Sequence, residues 1–287
     1  MLLQRVITAV VLLIIIIGAL LISPLAFTAV AAIAIGCCFW EWLHICKWNN
    51  GVAMVCGVVL GASLFFLEYA SPAALQTVQS GNGLMIITAT ATVLWAVITA
   101  VIFTRRTSGW MVPQGIGALL GWIFVPAAWF SLMYLFREKG TIYMLSVLAI
   151  VWVADIMAYF GGRCFGGPKM AQGISPKKTW SGALTAFVCV LALSYVLYWA
   201  QPSFPLWTNA LISHLTGWTS ALILILVVLF SIAGDLFESA LKRTAGVKDS
   251  SNLLPGHERK ISHTWNCYFH KILPCGNSLW HHQCLPV

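Results

Sequence analysis

The sequence predicts an all-α, polytopic integral membrane protein, a helix bundle with about eight transmembrane helices. Three observations predict this class. Apolar residues make up 60% of the 287 residues and charged residues only 8%, whereas a soluble domain carries about 25% charged residues. Apolar segments recur at lengths of about 17–25 residues, enough for a helix to cross a bilayer. The 14 tryptophans are typical of a chain anchored at two membrane interfaces.

Each apolar segment is predicted to be a helix, because lipid offers backbone polar groups no other partner. The loops at residues 68–83 and 201–218 hold almost no basic residues and are predicted to lie outside. No repeat or hydrophilic domain interrupts the pattern, so residues 1–257 are predicted to form one membrane-embedded domain. The predicted spans are residues 6–23, 25–43, 52–67, 84–103, 115–136, 141–161, 182–200 and 219–240.

Basic residues alternate across these spans, eleven on one side against two on the other. This bias predicts that the N-terminus and the basic loops are cytoplasmic. The net charge of +8 then describes a membrane face suited to phosphates and anionic lipids. No basic domain stands apart from the membrane, which argues against nucleic acid as a partner. The eleven are Arg5, Lys47, Arg105, Arg106, Arg163, Lys169, Lys177, Lys178, Lys242, Arg243 and Lys248, and the two are Arg137 and Lys139.

Two of the three aspartates, Asp155 and Asp235, lie in or at the mouth of apolar segments. A carboxylate at bilayer depth costs at least ~2.5–3.5 kcal/mol, so it requires a compensating partner and marks a functional site by default. A basic, glycine-containing loop follows each aspartate. The arrangement predicts a site for a metal ion and phosphate groups at the membrane surface.

The segment around Asp235 predicts metal and phosphate ligands on one helical face, because Glu238 follows at i+3 and Ser239 at i+4. Carboxylates with free water positions suit Mg²⁺ that also holds substrate phosphates. Nearby cations can balance a triphosphate and stabilise charge during group transfer. The alternative is a helix-end charge cluster in which the two acids pair with Lys242 and Arg243. The candidates are Asp235, Glu238 and Asp249 for the metal, and Asp235, Lys242, Arg243, Lys248 and Asp249 for catalysis.

The loop after Asp155 predicts a phosphate-binding segment. Its four glycines, at positions 161, 162, 166 and 167, allow close backbone approach. Pro176 and the neighbouring hydroxyls predict a helix start, where free N–H groups can donate hydrogen bonds to a bound anion. The segment is not a P-loop, because GxxxxGK[ST] is absent. The alternative is an ordinary cytoplasmic loop, whose lysines follow from the charge bias alone. The candidates for substrate binding here are Asp155, Ser175, Lys177, Lys178 and Thr179.

The two segments together resemble the phosphatidate cytidylyltransferase family, also called CDP-diacylglycerol synthases. The run SALKRTAGVKDSSNLLPGH, Ser239–His257, closely resembles the family signature, and ADIMAYFGGRCFGG and SPKKTWSG resemble an upstream region. The resemblance implies transfer of CMP from CTP to phosphatidic acid in the bacterial inner membrane, with Mg²⁺ as cofactor. It also implies that Asp235 binds metal, that Lys242, Arg243 and Lys248 face phosphates, and that Ser239 and His257 contact substrate. The substrates implied by the resemblance are CTP and phosphatidic acid. Membrane lipids and a second copy of the chain in a homodimer are further expected partners.

The resemblance stops after His257. The family pattern continues with Gly-Gly, two residues, Asp-Arg, one residue, Asp and a last apolar span, but Ser262 and Trp265 stand where the aspartates belong. Residues 258–287 are therefore predicted to be an atypical tail, disordered or non-native, whose composition indicates a reading-frame change. The chain with this tail is predicted to be inactive or nearly so. The alternative is a metal-binding tail formed by His263, Cys267, His270, Cys275, His281, His282 and Cys284, although their spacing matches no zinc pattern well.

Two other functions remain as alternatives. A CTP-dependent lipid-alcohol kinase would share the nucleotide and the membrane, and the run KDSSNLLPGH favours cytidylyl transfer over it. A secondary transporter would also bury carboxylates, but near the membrane midplane and with paired repeats. The aspartates here lie toward the cytoplasmic ends of their spans.

Overall fold

A computed structural model of the chain describes residues 2–70, 82–105 and 112–246. These residues fold almost entirely into helices, which confirms the predicted class. A π-helical turn, Leu135–Lys139, continues directly from α5. The helices are α1 (Leu2–Ile22), α2 (Pro24–Ile45), α3 (Asn50–Ala70), α4 (Asn82–Thr104), α5 (Gln114–Tyr134), α6 (Thr141–Phe165), α7 (Trp180–Ala200), α8 (Trp207–His214) and α9 (Gly217–Ala245).

Seven helices in the described part of the chain are long and apolar enough to cross a membrane, namely α2–α7 and α9. Each coincides with a predicted span. The first predicted span coincides with α1, whose segment Val11–Ile22 is apolar. The predicted domain boundary after residue 257 lies outside the described residues.

The two predicted outside loops need correction. The helix α3 continues through Ala70, so Glu68 lies in the helix and not in a loop, and its side chain is buried. The second loop contains α8, which is fastened by the side chain of Asn209. This amide donates to the carbonyl oxygens of Gln201 at 2.7 Å and Phe204 at 3.1 Å. Satisfying these carbonyls lets the segment fold compactly against the bundle.

The predicted helix start at Ser175 and Pro176 is wrong. Residues Lys169–Ala171 (β1) and Ser175–Thr179 (β2) form an antiparallel hairpin, and α7 begins only at Trp180. Proline is tolerated in a strand where its missing N–H faces away from the ladder, as in a two-stranded ribbon with free edges. One hydroxyl does mark the helix start. The Thr179 side chain accepts a hydrogen bond from the N–H of Gly182 and caps α7.

The hairpin is held between α6 and α7, which pack closely through glycines. A Cβ on Gly182 would lie 2.5 Å from the carbonyl oxygen of Ala158, and one on Gly162 would lie 2.8 Å from Thr179 Oγ1. Small residues allow such backbone approach, which stabilises helix pairs in lipid. Trp180 N–H donates to Pro168 O at 3.1 Å. The hairpin therefore leaves the end of α6 in a defined position.

The helix α9 is positioned by its aromatic face. Phe237 is buried between Trp42 of α2 and Trp95 of α4, with ring centroids 5.8 Å and 5.7 Å away. Trp95 Nε1 also donates to the carbonyl oxygen of Phe230 at 3.3 Å. Gly246 ends the helix in a left-handed conformation with φ 73°. These contacts fix which face of α9 turns away from the core.

Candidate active site

The last turns of α9 carry a polar stripe on a helix that is otherwise apolar. Leu236, Phe237 and Ala240 are buried in the core. Asp235 and Glu238 are exposed, on the opposite face, and Ser231 precedes Asp235 by one turn. The spacing of three and four residues places these side chains in one row. The stripe faces the hairpin that follows α6.

An ion pair joins the two segments that the sequence singled out separately. Lys178 of β2 contacts the Oδ2 atom of Asp235 through its Nζ atom. The Asp235 side chain is 48% exposed and that of Lys178 is 27% exposed. The carboxylate therefore keeps much of its surface open while one oxygen is neutralised by a cation.

Asp155 of α6 lies near this pair. Its Oδ1 atom accepts a hydrogen bond from Ser231 Oγ at 3.3 Å. It lies within electrostatic range of both Asp235 and Lys178. We refer to Asp155, Lys178, Ser231 and Asp235 as the hairpin-end cluster. Two carboxylates from two helices thus lie near one lysine, which contacts only Asp235.

The next turn of α9 holds a second ion pair, between Glu238 Oε1 and Lys242 Nζ. The alternative interpretation was that both acids pair with cations of their own helix end. The structure shows this for Glu238, which pairs with Lys242, but not for Asp235, which pairs with Lys178 of the hairpin. Glu41 of α2 lies within electrostatic range of Lys242 and Glu238. The Arg243 side chain is exposed. This face of α9 therefore presents cations beside the cluster.

The remaining predicted substrate residues differ in how available they are. Ser239 Oγ donates to the carbonyl oxygen of Asp235 at 2.8 Å, a bond within its own helix. Thr179 Oγ1 caps α7 and lies 3.0 Å from Ser181 Oγ. Lys177 is exposed and Ser175 is half-buried on the hairpin. Lys177 is thus the most exposed of these four residues, whereas the hydroxyls of Ser239 and Thr179 are used within their own segments.

Three predicted residues, Lys248, Asp249 and His257, lie outside the described residues. Ser231 and Glu41 were not predicted as site residues. Ser231 had a signal in the sequence, because it precedes Asp235 by four residues in the same helix and therefore shares its face. Glu41 also had one, because it is a carboxylate inside the predicted span 25–43, but its position beside α9 follows only from tertiary packing.

The hairpin-end cluster fits Mg²⁺ in a specific way. In the described part of the chain no three His, Cys, Asp or Glu side chains are grouped so as to hold a metal. Asp155 and Asp235 can supply two carboxylates, and Mg²⁺ commonly binds one or two carboxylates with substrate phosphates and water as its other ligands. The half-exposed Asp235 leaves room for those ligands. The predicted ligand Glu238 is engaged by Lys242 here.

Comparison of the amino-acid sequence with known proteins points to one family. The sequence pattern of the cytidylyltransferase family matches residues 3–257. A phosphatidate cytidylyltransferase of Pseudomonas aeruginosa is 33% identical over 264 residues, which cover 90% of this chain and 89% of that protein.

Shorter matches agree. Enzymes of the same name from Brucella abortus and Haemophilus influenzae are 40% identical over 111 residues and 38% identical over 120 residues. These matches cover 39% and 41% of this chain, and 37% and 39% of those proteins. The resemblance seen in the signature run is thereby confirmed, and the chain belongs to the cytidylyltransferase family.

Proposed function

We propose that this protein transfers CMP from CTP to phosphatidic acid, giving CDP-diacylglycerol and pyrophosphate. The observation that carries the proposal is the meeting of Asp155, Lys178 and Asp235 in the C-terminal halves of two membrane-spanning helices, in a chain whose relatives are named phosphatidate cytidylyltransferases. A charged site at the membrane boundary suits one water-soluble substrate and one lipid substrate.

The reaction forms a bond between a phosphate oxygen of phosphatidic acid and the α-phosphorus of CTP. The bond between the α- and β-phosphates breaks, and pyrophosphate leaves with the electron pair. The lipid phosphate is already anionic, so the site needs no strong general base. Positioning of the two substrates and compensation of their charge can supply most of the catalysis.

The residues divide these tasks by charge. Asp155 and Asp235 would hold Mg²⁺, which when bound neutralises phosphate charge and aligns the reacting groups. Lys178 is poised to transfer from Asp235 to a phosphate oxygen, because the pair is partly exposed. Lys242 and Arg243 extend the positive surface along α9 toward the leaving pyrophosphate. Ser231 holds Asp155 toward the cluster through its hydrogen bond.

The proposed location is the bacterial inner membrane, with the hairpin-end cluster on the cytoplasmic face. The asymmetry of basic residues, eleven against two, supports this orientation. It would place the site on the side where CTP is available. Surrounding membrane lipids and a homodimeric partner belong to the same proposal.

The test compares two proteins at matched membrane levels. The first is the chain with its own residues 258–287. The second, the grafted chain, carries in their place the C-terminal segment of the Pseudomonas aeruginosa relative. Membranes with the grafted chain should convert CTP labelled at the α-phosphorus and phosphatidic acid into labelled CDP-diacylglycerol, with stoichiometric pyrophosphate. Release of CDP with a phosphorylated lipid alcohol would assign the protein to the lipid kinases instead.

The chain with its own tail should show activity at or near background in the same assay. Ser262 and Trp265 supply no anionic oxygen where the family pattern has aspartates, and preorganised electrostatics is usually the largest catalytic contribution. Comparable turnover by both proteins would show that the tail provides its own ligands. In that case His263 and Cys267 would be the first residues to substitute.

A further inference from the structure

A second charged site lies at the other end of α6. The π-helical turn Leu135–Lys139 precedes α6, and the hairpin follows it. Asp155 lies 14 residues after Thr141, the first residue of α6, which is about 21 Å along the helix at 1.5 Å per residue, so the two sites are well separated. At this end Arg137 forms an ion pair with Glu68 Oε2. We call this region the π-turn end.

The Glu68 carboxylate is unusual because it is buried with one oxygen unsatisfied. Its side chain is 1% exposed, whereas that of Arg137 is 36% exposed. Both carboxylate oxygens are buried without a well-directed hydrogen bond among the described residues, and only Oε2 has the ion-pair contact with Arg137, so Oε1 has no partner there. Buried polar atoms are normally hydrogen-bonded, so each exception requires an explanation. A ligand that brings an N–H donor would satisfy this atom.

The backbone that presents Arg137 is also unusual. The π-helical turn widens the helix locally, and such turns are rare and occur frequently at functional sites. Gly140 ends the turn with φ 91°, a conformation that favours glycine. The turn directs Arg137 to Glu68 of α3, which is distant in sequence. The π-helical turn and the positive φ of Gly140 therefore both lie in the segment that carries Arg137.

A cavity of about 270 Å³ opens at this ion pair. Glu68, Arg137 and the phenol of Tyr69 form its polar part, and Leu25, Phe65 and Phe136 are among its apolar walls. Thr28 also lines the cavity, but its hydroxyl donates to Pro24 O at 2.9 Å and is already used. The cavity thus offers a carboxylate acceptor, a guanidinium donor and an apolar wall at one membrane interface.

We propose that this cavity binds the head group of a zwitterionic phospholipid with a primary ammonium group. The ammonium donates to Glu68 Oε1, and the lipid phosphate accepts from the exposed part of the Arg137 guanidinium. The glycerol and upper acyl region lie against Leu25, Phe65 and Phe136. The site is remote from the hairpin-end cluster and so does not hold the lipid that reacts.

The chemistry selects this head group over two common ones. An anionic glycerol head group brings a phosphate for Arg137 but no cation for the Glu68 carboxylate. A trimethylated ammonium carries a positive charge but no N–H to donate. A primary ammonium satisfies both requirements. Phosphatidylethanolamine, phosphatidylglycerol and phosphatidylcholine with identical acyl chains therefore form the matched set of probes.

The experiment is native mass spectrometry of the purified full chain in detergent, with the three lipids added in equal amounts. Phosphatidylethanolamine adducts should exceed each of the others by about fivefold, the value of one net hydrogen bond. Equal adducts for all three lipids would overturn the proposal. Water-soluble phosphoethanolamine should give no comparable adduct at the same concentration, and equal binding of it would overturn the assignment to a lipid.

Two variants locate the binding. Replacing both charges, Glu68→Met with Arg137→Met, should abolish the preference without unfolding the chain, because apolar replacement of a whole buried pair is well tolerated. Leu25→Trp should fill the cavity and reduce phosphatidylethanolamine adducts while leaving the ion pair intact. Leu21→Trp, on an 82% exposed leucine at the same end of the bundle, is the control and should change nothing. A preference that survives in both Glu68→Met/Arg137→Met and Leu25→Trp would place the lipid elsewhere and reject the site.

Discussion

The two ends of α6 each meet an ion pair between a helix carboxylate and a cation from a connecting segment, but the two pairs differ in burial. At the hairpin end, Asp235 is 48% exposed and its partner Lys178 is 27% exposed. At the π-turn end, Glu68 is 1% exposed and Arg137 is 36% exposed. The acid is thus open to solvent at one end and enclosed at the other.

This difference separates an ion pair whose members can exchange partners from one whose members must stay together. An exposed ion pair contributes little to stability, about 0–1 kcal/mol, so its members can exchange partners at low cost. A buried carboxylate that loses its partner leaves an uncompensated charge, which is strongly destabilising. Lys178 can therefore leave Asp235 for a phosphate group, whereas Arg137 must stay on Glu68. Substitutions at the two ends should consequently affect different measurements.

The largest effect is expected from Arg137→Gln, and it should be on stability. Leaving Glu68 without its cation should destabilise the protein by about 3 kcal/mol, at the low end for buried pairs because Arg137 itself is partly exposed. The midpoint of thermal unfolding should fall by about 5–10 °C. Lys139→Gln removes an exposed cation from the same turn and should leave the midpoint unchanged. Equal shifts for both variants would mean that the burial of Glu68 has no energetic consequence.

Asp235→Asn in the grafted chain should lower turnover by about 100-fold, the scale seen when one preorganised electrostatic group is lost. Asparagine keeps the size of the side chain but removes the charge that would bind Mg²⁺. Expression and thermal unfolding should stay near those of the unsubstituted protein. Glu138→Gln, an exposed acid at the π-turn end, serves as the control. Near-full activity of Asp235→Asn would leave the helix-end charge pair as the better interpretation.

Lys178→Gln should lower activity of the grafted chain by about tenfold, an effect of about 1.4 kcal/mol, while stability changes by less than about 1 kcal/mol. The loss should be measured across CTP concentrations, because a cation that compensates phosphate charge acts on nucleotide binding and on the transition state. Lys169→Gln on β1 is the matched control. A large fall in the unfolding midpoint with unchanged kinetics would reverse the comparison between the two ends.

Ser231→Ala should give the smallest effect, a decrease in turnover of about fivefold, because it removes one hydrogen bond worth about 1 kcal/mol. Asp155 would keep its charge but lose its orientation. Ser231→Thr retains the hydroxyl and should restore most of the activity. Failure of threonine to rescue would indicate that the small size of Ser231 matters more than its hydrogen bond.

The fold was largely predictable because a lipid environment restricts a membrane-spanning segment to a long apolar helix. A run of about 20 apolar residues must be a helix, so the spans and the face that carries Asp235 and Glu238 follow from the sequence. The β-hairpin was missed because Ser175–Thr179 lacks the alternation of apolar and polar residues that is typical of a strand. In addition, Pro176 with neighbouring hydroxyls is typical of a helix start.

The tertiary contacts of the site could not be read in the same way. Lys178 and Asp235 are 57 residues apart, and no periodicity records which helix face meets which loop. The burial of Glu68 was missed because three polar or small residues, Glu68, Tyr69 and Ala70, resemble the beginning of a loop. Its partner Arg137 is identifiable only once α5 continues into the π-helical turn.

The glycine contacts between α6 and α7 have a consequence for how the protein assembles during synthesis. Neighbouring spans with closely fitting small residues can associate as soon as both have entered the bilayer. The hairpin and Lys178 would then be in place before α9 has been translated. Asp235 is translated after Lys178 and meets it on a hairpin whose flanking helices already pack together at Gly162 and Gly182. The site is therefore completed only when the final described helix has been inserted, so a nascent chain that stalls earlier carries Asp155 and Lys178 without Asp235.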